Sequence, residues 1–130
     1  MTVNYLGAVF LRVRDLEKSM SFYSDVLGLK LRDVEQWDNG RGANYIISEN
    51  SPLLTLIETV ENLQVQEYPT FNLNCKNILD LHKKLTNQGF KVGEINNWSS
   101  NMNVHVDFDI YDPDGNAINL IEWHKKSIEI

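Results

Sequence analysis

His105, Asp107 and Asp109 alternate through the segment 104–110, VHVDFDI, and a strand with that pattern puts all three on one face. Imidazole beside carboxylate is the chemistry of acid–base catalysis or of a metal centre. From His105 to Asp109 an extended strand covers about 13 Å, too far for one ion without ligands from neighbouring strands. The plainer reading is a polar wall, with Val104, Val106, Phe108 and Ile110 packed on a helix behind it. The other reactive side chains are scattered. His82 stands beside Lys83 and Lys84, and His124 beside Lys125 and Lys126, so both are expected in solvent. Cys75 alternates with Phe71 and Leu73, as a buried thiol does, and as the single cysteine it excludes an intrachain disulfide. Glu58 and Glu122 end two matching strands, on the face opposite Thr55 and Asn119, and read as structural. No nucleophile–base pair is visible.

The stretch that must position these groups is Tyr111–Glu122, YDPDGNAINLIE. Asp112-Pro113-Asp114-Gly115 is a turn: proline presets φ, the aspartates bond nearby backbone and glycine tolerates positive φ. The strand after it, Ile118–Glu122 (INLIE), nearly copies Leu54–Glu58 (LTLIE). A second echo lays Ala8–Leu31 over Thr70–Val92: Leu11 falls on Leu73, Val13 on Cys75, Arg14 on Lys76, Asp15 on Asn77 and Leu16 on Ile78. After a one-residue gap Gly28 falls on Gly89, Lys30 on Lys91 and Leu31 on Val92. Order and spacing agree, so the chain reads as a duplicated module.

Taken in order, Tyr5–Val13 is a strand with Val9, Leu11 and Val13 on one face. Asp15 caps a helix whose stripe is Leu16, Met20, Tyr23 and Leu27, and Gly28 stops it. Leu29–Gln36 is a strand, Asp38–Gly42 is turn chemistry, and Ala43–Ser48 and Leu53–Thr59 give two more strands joined through Glu49-Asn50-Ser51-Pro52. Module one, about 4–59, is therefore βαβββ; residues 60–68 form a linker. Module two, about 69–124, starts with a strand at Thr70–Cys75. It continues with a cap at Asn77, a helix burying Ile78, Leu81 and Leu85, and a stop at Gly89. A strand at Phe90–Ile95, a polar loop at Asn96–Asn103 holding Trp98, and a hairpin of Val104–Tyr111 with Ala117–His124 complete it. Residues 125–130 read as a tail.

The 130 residues are enough for one domain. An apolar share of 42% and a charged share of 23% suit a soluble globular protein. A net charge of −6 without a basic stripe argues against nucleic acid. No apolar run spans a bilayer, and Arg12 and Arg14 interrupt the N-terminal segment, unlike a signal peptide. Neither a membrane nor a nucleic-acid partner is expected, and the expected compartment is the cytoplasm.

Ala8–Leu31 and the DPDGN turn with its strand resemble the vicinal oxygen chelate superfamily, which holds glyoxalase I, extradiol dioxygenases, fosfomycin-resistance enzymes and bleomycin-resistance proteins. The resemblance implies an α+β fold: two tandem βαβββ modules forming a curved eight-stranded mixed sheet around a cleft, helices outside, usually in a homodimer. It implies no reaction by itself. The family's metal-ligand positions fall on Ala8, Thr55, Thr70 and Asn119. A methyl group, two neutral hydroxyls and an amide are poor donors where His, Glu or Gln are typical. No metal and no other cofactor is therefore expected.

Parity along the strands fills the expected cleft with Ala8, Phe10 and Arg12; Leu53, Thr55 and Ile57; Thr70, Asn72 and Asn74; His105, Asp107 and Asp109; and Asn119, Ile121 and Trp123. Trp37 and Trp98 stand at its rim. Apolar and aromatic walls with a few polar groups suit a small molecule. Phe10 and Trp123 could stack on a planar or cationic ligand, and Asp107 and Asp109 would favour positive charge if unpaired. Arg12 matches a glyoxalase I arginine that grips a substrate carboxylate, or it pairs with an aspartate. The expected function is metal-free binding and sequestration of a small molecule, cationic or aromatic. The alternatives are an enzyme, with a displaced metal or His105/Asp107 acid–base chemistry, and an interaction module with a vestigial cleft.

Overall fold

The computed structural model of the chain describes residues 2–61, 63–99, 101 and 103–125. Its contacts fall into two compact units, Met1–Val65 and Gln66–Ile130.

In unit 1, β1 (Ala8–Val13) leads to α1 (Leu16–Ser21), which runs on into a π-helical turn, Phe22–Val26. Then follow β2 (Lys30–Trp37), β3 (Gly40–Ile46) and β4 (Leu53–Glu58), giving a mixed sheet of order β1-β4-β3-β2 in which β1 and β4 are parallel. Asp15 caps α1 as expected, its Oδ1 accepting the Lys18 N–H at 3.1 Å. The π turn, in which Leu27 N–H reaches Phe22 O at 3.2 Å, inserts a residue into the helical repeat. Phe22 thereby joins Leu16 and Tyr23 in the core, while Met20 and Leu27 of the expected stripe are half-buried. Gly28, at φ +69°, ends the helix. The expected turn Asp38–Gly42 is shorter than its composition suggested. Trp37 pairs with Gly40, so only Asp38 and Asn39 turn, and Gly40, Arg41 and Gly42 belong to β3.

Unit 2 repeats the plan with β5 (Asn72–Asn74), α2 (Ile78–Asn87), β6 (Asn96–Ser99), β7 (Asn103–Tyr111) and β8 (Ala117–Lys125), in the order β5-β8-β7-β6. Gly89, at φ +87°, stops α2. Two expectations change. Residues 90–95 form only an isolated bridge, Val92 to Ile110, and the strand lies in the supposed polar loop, where Asn96–Ser99 pairs antiparallel with β7. The cap is also different. Asn77 adopts the left-handed conformation and its side chain does not cap; Glu122 does, accepting the N–H groups of Asn77 at 3.3 Å and Ile78 at 3.2 Å. Glu58 does the same for α1, accepting the Leu16 N–H at 3.1 Å. The matching glutamates are structural, as expected, and each anchors its own unit's helix to the end of its last strand.

The turn at 112–115 is held from within. Asp112 Oδ1 accepts the N–H groups of Asp114 and Asn116, both at 2.9 Å, and Gly115 N–H closes on Asp112 O at 2.9 Å. Buried Asn116 accepts the Gln66 N–H at 2.9 Å, and Gln66 O accepts from Ala117, which ties the hairpin to the start of the unit. His82 is not solvated: its Nε2 lies 3.0 Å from Gly93 O and its ring meets Phe108 edge-on. His124 is exposed, as expected. Cys75 is half-buried, and burial raises its thiol pKa. Of the expected tail, 126–130 lies outside the described residues. Among the described residues no helix is long and apolar enough to cross a membrane.

Candidate functional site

Each sheet has one face packed on its helix and one left uncovered by it. Strand registers decide what the uncovered faces carry.

In unit 1, β1 sits against β4 so that Ala8 pairs with Leu53, Phe10 with Thr55 and Arg12 with Ile57. The expected residues of this half are therefore brought together. Phe10 is 67% exposed, Arg12 reaches Thr59 Oγ1 at 3.4 Å, and Thr55 is buried. The row through Thr55 continues into residues that the sequence did not single out. Thr55 Oγ1 donates to Asn44 Oδ1 at 2.6 Å, and Asn44 Nδ2 donates to Asp33 Oδ1 at 2.8 Å. The Asn44 amide, helped by Arg32, holds the Asp33 carboxyl below its usual range. This relay had no signature beforehand, because it joins β2, β3 and β4 through a register that the hairpin sets.

In unit 2, Asn72 pairs with Asn119 and Asn119 with Asp109; Asn74 pairs with Ile121 and Ile121 with Asp107; Trp123 pairs with His105 and His105 with Trp98. Thr70 precedes β5, exposed and outside the strand expected to carry it. Asp107 and Asp109 are not unpaired. Asn96 Nδ2 and Trp98 Nε1 donate to Asp107 at 3.1 and 3.0 Å, and Asn119 Nδ2 donates to Asp109 at 3.0 Å. These donors are neutral, so they satisfy oxygens without cancelling formal charge. The His105/Asp107 acid–base pair is not assembled: the Asp107 oxygens are occupied by those donors, and buried His105 Nδ1 has no partner among the described residues. Trp98 stacks on His105 at 3.7 Å between ring centroids, and Trp123 meets it edge-on at 5.7 Å.

The four family metal positions are poor in donors. Ala8 has none, Thr55 gives its hydroxyl hydrogen to Asn44, Thr70 is a neutral hydroxyl off the strand, and Asn119 is a neutral amide engaged with Asp109. Without an imidazole or carboxylate, this set does not fit a divalent ion. Among the described residues, no cluster of three or more His, Cys, Asp or Glu is placed to hold a metal.

Comparison with solved structures agrees with the two-unit plan. A member of the glyoxalase/bleomycin resistance protein/dioxygenase superfamily from Sphaerobacter thermophilus DSM 20745 superposes with a TM-score of 0.79 at 22% identity, covering 94% of this chain and 99% of that one. An antibiotic binding protein from Streptomyces sp. CB03234 gives 0.74 at 20% identity over 94% and 98%. An integron cassette protein from the mobile metagenome of a Halifax Harbour sewage outfall gives 0.66 at 27% identity over 92% and 99%. No curated protein matches. A family model matches residues 5–120, and by that match the chain belongs to the Glyoxalase/Bleomycin resistance protein/Dioxygenase superfamily.

Proposed function

We propose that this chain binds and sequesters a small organic molecule on the uncovered faces of its sheets, without a metal and without transforming it. The observation that carries this reading is the state of the family's metal positions: one lacks a donor atom, and Thr55 and Asn119 are committed to neighbouring side chains. The uncovered faces also carry the mixture a small-molecule site uses: exposed Phe10 in unit 1, and exposed Trp98 and Trp123 in unit 2, each beside fixed polar side chains. Fold similarity to an antibiotic binding protein supports the same reading. The reading includes a cytoplasmic homodimer, since open-edged sheets of this kind need partners or protection at their edges.

Elemental analysis of protein purified without added metal is the first test. Substoichiometric zinc, nickel, manganese and iron are expected, and one equivalent of any of them overturns the metal-free reading. Thermal shift against a broad small-molecule panel is the second, because a ligand of the native state raises its melting temperature. A panel without a single shift overturns binding.

A further inference from the structure

The two units carry tryptophans in the same structural place. Thr55 pairs with Asn44 as Asn119 pairs with Asp109, so Gly42 corresponds to Asp107 and Gly40 to His105. Trp37 pairs with Gly40, and Trp98 with His105. What lies under each indole differs. Trp37 rests on a bare backbone, where a Cβ on Gly42 would come within 2.1 Å of its Cη2. Trp98 rests on the His105 imidazole, with 24° between the ring planes, and donates its Nε1–H to Asp107 Oδ2. Trp123 closes the row from β8.

This row has the properties of a recognition platform. Trp98 and Trp123 are 49% and 45% exposed, although they flank a histidine that is 8% exposed. A buried imidazole nitrogen without a partner is uncommon enough to need a reason, and among the described residues His105 Nδ1 has none. An indole that donates to a carboxylate is more electron-rich on its faces, which strengthens attraction to a cation above the ring. Asp107 and Asp109 have only neutral donors among the described residues. In unit 1 the row equivalent to that of Asp107 has Gly42 in its place and ends on Arg12 through Ile57, while Trp37 donates its Nε1–H to Glu35 Oε2 at 2.9 Å. Among the described residues the row Asn96–Asp107–Ile121–Asn74 holds no arginine or lysine, which makes unit 2 the half suited to positive charge.

We infer that the Trp98–His105–Trp123 row, with Asp107 and Asp109 beside it, binds a planar aromatic cation such as a quaternised nitrogen heterocycle. The inference rests on the small-molecule reading above and names its ligand class. Indole faces supply stacking area, and the adjacent carboxylates select for charge.

Isothermal titration with three probes of similar shape tests it: N-methylacridinium, neutral acridone and anionic acridine-9-carboxylate. N-methylacridinium should bind about tenfold more tightly than acridone, with the anion weakest. Trp98→Ala and Trp123→Ala should each weaken the cation about tenfold. Asp107→Asn keeps an acceptor for Trp98 and removes the charge, so it should weaken the cation several-fold and leave acridone unchanged. Trp98→Phe keeps a ring while losing the N–H, and should fall between wild type and Trp98→Ala. Melting temperatures accompany each variant, so that unfolding is not read as lost affinity. If acridone binds as tightly as the cation, or if the cation binds both folded tryptophan variants at full strength, the platform is overturned while small-molecule binding stands. If these probes and the broad panel all fail, both readings fall.

Discussion

In unit 1 the glutamate that caps the helix is itself clamped. Arg41 donates Nε and Nη2 to Glu58 at 3.0 and 2.8 Å, and both terminal nitrogens to Glu17 at 2.7 and 3.0 Å. In unit 2 Glu122 caps α2 in the same way, but the residue paired with it is Val106, and His124 Nε2 stands 3.7 Å off. On the uncovered faces the contrast runs the other way, with glycines at 40 and 42 where unit 2 carries His105 and Asp107. A duplicated scaffold has kept the contact that anchors each helix and let the rest diverge. Unit 1 clamps its capping glutamate with Arg41, and unit 2 sets His105 and Asp107 where unit 1 has glycines.

Four perturbations would break or sharpen this contrast. The largest effect is expected in the cores. Phe108 is fully buried against His82, whereas its counterpart in unit 1 is the small, fully buried Ala43, in a core that also holds Tyr23 and Tyr45. Phe108→Ala should cost about 3–5 kcal/mol in denaturant unfolding. A loss below about 1 kcal/mol would contradict the packing described for unit 2. Next come the caps. Glu122→Ala should cost about 1–2 kcal/mol, and Glu58→Ala more, since it also strips Arg41 of a partner. Equal losses would mean that the clamp adds nothing.

The third prediction concerns pH. Hydrogen bonds from Arg41 hold the Glu58 and Glu17 carboxyls below their ordinary value of 4.5. Folded values lower than unfolded ones stabilise unit 1 above that range, and this contribution drains away as pH falls through the folded values. Arg41→Met and Glu58→Gln should each flatten the acid limb of a stability–pH curve; an unchanged limb would remove the clamp from the account. The smallest effect belongs to Gly42→Ala, which should push the Trp37 ring aside and change tryptophan emission with little loss of stability. Unaltered emission would count against the seated indole.

Much of this was readable in advance, for reasons tied to short-range chemistry. Asp15 caps, Gly28 and Gly89 stop helices, and the 112–115 turn closes because each acts within a few residues of its partner. The parity of β7 held at Phe108 and Ile110, buried behind the polar side chains, but Val104, expected to pack with them, is 41% exposed. β6 escaped notice because Asn-Asn-Trp-Ser has no hydrophobic alternation; its pairing comes from β7. Asn77 looked like a cap, yet a glutamate 45 residues later does the work. The correspondence of Trp37 with Trp98 was masked by unequal connections, two residues in the β2–β3 hairpin and a longer one between β6 and β7.

The amino-acid order alone determined the doubled βαβββ plan, the helix ends, the organising turn and the poverty of donors at the four metal positions. All of these depend on local conformational preference or on side-chain identity. Only tertiary structure decided that Arg41 clamps Glu58, that Asn44 bridges Thr55 to Asp33, and that Trp98 lies on His105 above Asp107. Those contacts depend on strand register, and one residue of slip would turn every one of them to the opposite face.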